Sequence, residues 1–205
     1  ANPLLDQLAD RLEFVRTRPA TPWRARDAAW LLEWAMHRDG YRDARVAHTL
    51  DGNTIVLTVH SGIRYHLADV TVAGVEKPDA KRLANLFALP AKEKQELFSG
   101  PGPWAEEDTA RALDLIMADF HSRGYWAASV SVTGDPLDAA TGAYHFHLAT
   151  TPGPIHTLTQ DEFSGNLAGK QSALQSLASE FAGKPADTTN LNALRAGVEK
   201  VFAKD

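Results

Sequence analysis

The chain contains no cysteine. Disulfides and thiolate metal sites are therefore excluded, and the compartment is left open, because a thiol-free chain suits an oxidising or a reducing setting alike. Long apolar runs are also lacking. Nothing approaches the roughly 18 residues that a spanning helix needs, and no secretory leader is visible. The opening residues already read as helix, so a mature or trimmed start is expected. There is no excess of positive charge: 21 Lys and Arg stand against 26 Asp and Glu, a net charge of −5. Nucleic-acid binding needs clustered cations, so that partner is excluded. The 205 residues, 44 % hydrophobic and 23 % charged, are ordinary globular material, enough for one large domain or two to three small ones.

What the chain does have is an internal echo. His37 to Val46 reads HRDGYRDARV and His121 to Val130 reads HSRGYWAASV, sharing H-x-x-G-Y-x-x-A-x-V, with Gly40 and Gly124 84 residues apart. A weaker echo links GIRYHLADVTVAG from Gly62 with GPIHTLTQDEFSG from Gly153, each ending in a glycine 12 residues on, at Gly74 and Gly165. Two motifs with nearly equal spacing point to repeated units of that size.

One unit is complete, from Gly62 to about Thr151. Tyr65 to Val72 is strand-like. Tyr65 and Leu67 share one parity and Val70 and Val72 the other, so a single bulge between them puts all four on one face. Asp79 to Leu89 has Leu83, Leu86 and Phe87 at helical spacing, with Pro90 as its expected stop and a loop through Phe98, Ser99, Gly100, Pro101, Gly102 and Pro103. Glu106, Glu107 and Asp108 mark the next helix start, where carboxylates meet the positive end of the dipole. Leu113, Ile116, Met117 and Phe120 form its apolar face. Gly124 is the expected helix end. Ala128, Val130 and Val132 then alternate as one strand and Tyr144, Phe146 and Leu148 as another, with turn residues Gly134 to Gly142 between. The order is β-α-α-β-β.

The flanks are partial copies. Residues 1–61 give a helix with Leu4, Leu8, Leu12 and Val15, a helix with Ala28, Leu31, Leu32 and Ala35, and a hairpin across Asp51-Gly52-Asn53. Its opening strand is expected upstream. Residues 153–205 give a strand and two helices, the second carrying Leu191, Leu194, Val198 and Val201, and stop at Asp205, where a Gly-Tyr and a hairpin are expected.

A βααββ repeat with Gly40-Tyr41 and Gly124-Tyr125 after its second helix, and with Gly62-x-x-Tyr65 leading to Val70-x-Val72-x-Gly74, resembles the POTRA domain. The third copy departs, with His156 in the place of Tyr65 and Asp161 in that of Val70. POTRA arrays belong to the BamA- and TamA-like outer-membrane assembly factors, and three modules with such an opening are similar to the TamA-like branch. The resemblance implies an α+β fold of tandem modules, each a three-stranded mixed sheet covered by two antiparallel helices. The boundaries are 1–61, lacking a first strand, 62–152, complete, and 153–205, lacking the hairpin. It implies a location at the periplasmic face of the bacterial outer membrane, to which a barrel outside this fragment attaches the array. It further implies unfolded outer-membrane or secreted clients and periplasmic partner proteins, no cofactor, and no catalysis. The strand after Gly-Tyr is the edge strand in that family, which marks Val46, Ala47 and His48, and Ser129, Val130, Ser131 and Val132, as the segments that would pair with a partner strand. The alternatives are the modules of a two-partner secretion transporter, of a cell-division protein, or of an enzyme whose catalytic domain lies elsewhere.

Other candidate chemistry is weaker. His145 and His147 share a strand face without a third ligand at a compelling spacing, so a solvated face is expected and a metal is not. His37 and His121 sit where a helix dipole favours them. Trp30 and Trp34, at i and i+4, are expected to pack in a core or between modules, with an exposed partner-binding patch as the second reading. Lys92 to Lys94 is expected to be a solvated charge run. The Gly100–Pro103 loop lacks the ending of a phosphate cradle, and no nucleophile motif is present.

Overall fold

The computed structural model describes residues 12, 13, 15, 17–95, 101–133, 137–159 and 162–203. Leu4, Leu8, Phe98, Ser99, Gly100, Gly134, Asp161 and Asp205 of the reading above lie outside the described residues. The fold is α+β. Among the described residues, six helices and two separate sheets follow in the order α1 Pro22–Arg38, β1 Arg45–Asp51, β2 Thr54–His60, β3 His66–Ala73, α2 Lys77–Phe87, α3 Leu89–Gln95, α4 Glu106–Ser122, β4 Ser129–Thr133, β5 Leu137–Asp138, β6 Ala143–Thr151, α5 Gln171–Phe181 and α6 Thr188–Phe202. None of the described helices is long and apolar enough to cross a membrane.

The first sheet is the antiparallel pair β1–β2. Asp51 pairs with Thr54 around Gly52-Asn53, with Gly52 at φ +57. A two-residue loop with positive φ at its first position is the type II′ connection, whose twist matches that of the strands it joins. Helix α1 covers this sheet. Thr21 caps its start, its hydroxyl accepting from the Arg24 N–H at 3.3 Å, and Pro22 opens the first turn. Its inner face is small: Ala25, Ala28, Ala29 and Ala35 are buried, which lets the helix lie close to the strands.

The second sheet runs β3–β6–β4, with β3 parallel and β4 antiparallel to the central β6, and the short β5 extends the β4 side. The register of β3 slips between Leu67 and Asp69. This is the bulge that the parity change at Ala68 predicts, and it turns Tyr65, Leu67, Val70 and Val72 all toward the core. On β6 the alternation is strict: Tyr144, Phe146 and Leu148 are buried while His145 and His147 face out. The core is an aromatic stack. Phe87 lies 4.7 Å from Phe146 and 5.3 Å from Trp104 between ring centres, and Tyr144 continues the line to Tyr65 at 5.9 Å. Leu83, Ala112, Ile116 and Phe120 close it from the helices.

Three expectations are corrected here. Pro90 does not end the helical region. It lies buried in the first turn of α3, where its missing N–H costs nothing. Lys94 is not solvated. Its Nζ donates to the Asp108 carboxylate at 2.6 Å, and that same carboxylate accepts from the Ala105 N–H at 2.7 Å. The buried acid at the start of α4 is thus both cap and ion-pair partner. Finally, no strand forms after Gly153 among the described residues. Thr157 makes only an isolated bridge to Pro185. A strand is stable only beside another, and the described residues of this region offer α5 and α6 alone. Leu191, Leu194, Val198 and Val201 of α6 are consequently only half-buried.

Candidate partner-binding edges

The helix before each strand after Gly-Tyr ends in the same motif. Gly40 has φ +86 and Gly124 φ +87. The Gly40 N–H bonds the His37 carbonyl at 3.1 Å and the Tyr41 N–H the Met36 carbonyl at 2.9 Å. Likewise the Gly124 N–H bonds the His121 carbonyl and the Tyr125 N–H the Phe120 carbonyl, both at 3.0 Å. These are the two bonds of a Schellman cap, which satisfies carbonyls a helix end otherwise leaves orphaned. The Tyr125 ring meets the Phe120 ring edge-on at 6.1 Å, the apolar contact that accompanies such a cap. A turn follows in both copies, Ala44 N–H to Tyr41 and Ala128 N–H to Tyr125, and a strand begins at Arg45 and at Ser129.

The second motif docks on the first. The Tyr65 N–H donates to the Gly40 carbonyl at 2.7 Å, and the Trp104 N–H to the Tyr65 carbonyl at 3.1 Å. Further along, the His156 N–H donates to the Gly124 carbonyl at 2.9 Å, and the Ala186 N–H to the His156 carbonyl at 2.8 Å. The bridges His66–Pro103 and Thr157–Pro185 repeat as well. Two sequence echoes that look independent are therefore halves of one main-chain clasp. Side chains support each clasp differently. At the first, the Tyr65 hydroxyl donates to Asp43 at 2.6 Å and the Arg64 guanidinium pairs with the buried Asp39 at 2.6 Å. The Asp43 carboxylate, with burial second, pushes the Tyr65 hydroxyl above the ordinary tyrosine range. The neighbouring Tyr144 hydroxyl raises the Arg42 guanidinium. At the second, the Trp126 Nε1–H donates to the Ala186 carbonyl at 2.7 Å, and the Trp126 ring stacks on His121 at 4.9 Å. Trp104, Trp126 and the clasp bonds were not evident in the sequence, since main-chain pairing leaves no residue signature.

The strands the clasps launch, β1 and β4, are each terminal in their sheets. On β4, Val130 and Val132 are half-buried toward the core while Ser129, Ser131 and Thr133 are exposed. On β1, Val46 is half-buried and Ala47 and His48 are exposed. The two edges differ in one respect. The Val46 N–H donates to the Glu33 carboxylate of α1 at 2.9 Å, so β1 turns the main-chain groups of Val46, His48 and Leu50 away from β2, and the first of these donors is engaged. The residue 84 positions after Glu33 is Met117, which has no such acceptor. Among the described residues, no side chain takes the Val130 N–H. The other terminal strand of the second sheet, β3, carries the bulge at Ala68, and bulges disrupt edge pairing.

The remaining candidates are placed as follows. His145 contacts Asp69 and the His147 Nδ1 lies 2.6 Å from the Thr71 hydroxyl, so each imidazole has a partner across β3. No group of three or more potential metal ligands gathers among the described residues. The His37 Nε2 lies 3.1 Å from the Ala44 carbonyl. Gly74 fits against the end of β6, where a Cβ would fall 1.8 Å from the Thr150 carbonyl, whereas Gly165 has nothing within 4 Å. Gly62 and Gly153 both take positive φ, at +66 and +69. Trp30 and Trp34 lie outside the buried face of α1. Both are exposed, and they stack on each other at 6.4 Å.

No family model matches the chain, and no curated protein matches it. Among solved structures it is similar to the POTRA3-5 fragment of BamA from Haemophilus influenzae, with 19 % identity, a TM-score of 0.48, and a match covering 83 % of this chain and 66 % of that one.

Proposed function

We propose that this chain is a protein-interaction scaffold that receives an extended segment of a client or partner by strand addition at β4. The carrying observation is the state of that strand. Ser129–Thr133 is terminal, unbulged, anchored by Val130 and Val132, and launched from a rigid clasp. Main-chain hydrogen bonds recognise strand shape and not sequence, and each contributes about 0.5–1.5 kcal/mol net. A short segment is therefore held weakly and can be passed on, which is the physics of a chaperone-like relay.

In this reading residues 62–152 are a POTRA module, 1–61 one whose opening strand is not among them, and 153–205 one whose hairpin is not among them. The array belongs to a TamA-like assembly factor at the periplasmic face of the outer membrane. It carries no catalysis of its own. The capped Val46 supports β4 over β1 as the receiving edge.

The test uses a Val130→Pro variant. On β6 the Phe146 carbonyl faces β3, accepting from Thr71, and the His147 carbonyl faces β4, accepting from Thr133. Val130, opposite Thr150, is thus in a non-hydrogen-bonded pair with its N–H turned outward, so proline leaves the ladder to β6 intact. Backbone shifts on titrating a strand-forming peptide should move along β4 in the parent and stay still in the variant. Peptide binding that survives Val130→Pro, with the fold unchanged, rejects the proposal.

A further inference from the structure

Helix α1 turns a row of aromatic rings away from its own sheet. Trp23 is 67 % exposed, Trp30 63 % and Trp34 37 %, on the side opposite the buried alanines. The row is about 17 Å long at 1.5 Å per residue. Cations sit on it: the Arg26 guanidinium lies 4.2 Å above the Trp23 ring and that of Arg38 4.9 Å above Trp34. Of the acids of α1, Glu33 has its carboxylate on the Val46 N–H, which leaves Asp27 against two arginines. In a chain with a net charge of −5, this strip is a local reversal of sign.

Three occupants can be weighed. A second copy is disfavoured by size. The exposed ring surface is on the order of 400 Å², half of the roughly 800 Å² per partner that a stable complex buries. A protein partner would need a groove to fit a single convex row of rings. A phospholipid surface needs none, and tryptophan and arginine are the side chains that suit it. An indole places an apolar ring beside a polar N–H at the headgroup level, and a guanidinium matches a phosphate in two hydrogen bonds.

We infer that the outer strip of α1 is a membrane-surface site, which lays Trp23 and Trp30 into the headgroup zone of an anionic phospholipid leaflet with Arg26 and Arg38 on the phosphates. The site is separate from β4 and does not depend on strand addition.

The experiment floats the full chain with vesicles of phosphatidylcholine, with or without phosphatidylglycerol, and follows tryptophan emission. The expected result is flotation and a blue shift with the anionic vesicles only. Trp23→Ser with Trp30→Ser should abolish both. Because each basic residue near an anionic surface contributes about five-fold, Arg26→Gln with Arg38→Gln should weaken partitioning about 30-fold. The arginine pair provides the readout if the serine variant unfolds. Failure to float with anionic vesicles overturns the inference, as does equal binding to neutral ones or full binding by the arginine variant. Capture of a polyglutamate peptide in place of vesicles would reassign the strip to an acidic protein partner.

Discussion

Gly40 and Gly124 hold the same backbone angle in the same cap, yet their surroundings differ, and this makes a matched pair of substitutions. A Cβ at Gly40 would lie 2.4 Å from the Tyr65 carbonyl oxygen and 3.2 Å from the Pro103 Cβ. At Gly124 the nearest atom would be the Cγ2 of Ile155 at 3.3 Å, a side-chain end that can turn aside. Alanine in the left-handed region costs about 1–2 kcal/mol at either position. At Gly40 the methyl must also push the Tyr65 carbonyl away, which breaks or bends both clasp bonds that Tyr65 makes, at about 1 kcal/mol each. Gly40→Ala should therefore destabilise by about 3–4 kcal/mol, and Gly124→Ala by little more than the backbone strain alone. Urea unfolding followed by tryptophan emission and by far-UV circular dichroism gives the two values. Amide exchange at Tyr65 and Trp104 shows whether the clasp has opened. Equal destabilisation by the two variants, or an unchanged Tyr65 amide in Gly40→Ala, would show that close approach at the clasp is not what requires glycine there.

Other outcomes follow from the ionised groups. The Arg123 guanidinium, with Arg82, holds the Asp79 carboxyl below the usual carboxylate range. Its stabilising contribution is present above the unfolded-state value near 4 and is lost as pH falls through the lower folded-state value, so the gap in thermal midpoint between parent and Asp79→Asn should close as pH falls below about 4. The Tyr65 hydroxyl is shifted the other way by Asp43. Its contribution is full below the ordinary tyrosine value and is lost as pH rises through the folded-state value, so one of the four tyrosines should ionise late in an ultraviolet titration and Tyr65→Phe should remove that late step. Lys94→Met strands the buried Asp108 carboxylate and should cost about 3 kcal/mol in urea unfolding. A loss no larger than that of an exposed lysine would mean that Asp108 is sustained by its cap alone.

Much of the second sheet was legible because its signals are local. The parity change at Ala68, the alternation of Tyr144, Phe146 and Leu148, and the face of Leu113, Ile116 and Phe120 each state their own geometry. The Gly-Tyr echo marked the helix ends for the same reason, since the Schellman cap is made within six residues. What stayed hidden needs a partner distant in sequence. Lys94 meets Asp108 at a separation of 14 residues that no periodicity records, and the segment after Gly153 has strand chemistry but, among the described residues, no strand to lie beside. Proline was ambiguous, as Pro90 could stop one helix or open the next. The tryptophans misled because apolarity reads as burial, although the buried alanines of α1 lie on the opposite side of the same helix. The β4 edge was named from a resemblance. The side chain that distinguishes it from β1, Glu33, lies on another element.

The clasp has an implication for how such a chain can drift. Its bonds join N–H and C=O groups of residues 40, 65 and 104, and again of 124, 156 and 186, so beyond the glycine at each helix end the joint itself specifies no side chain. Tyrosine at 65, buried in the core, and histidine at 156, exposed, make the same joint, so what the joint itself requires is the glycine at the helix end and not one particular side chain docked on it. Surfaces on either side are thus free to diversify while the main-chain joint is kept unchanged.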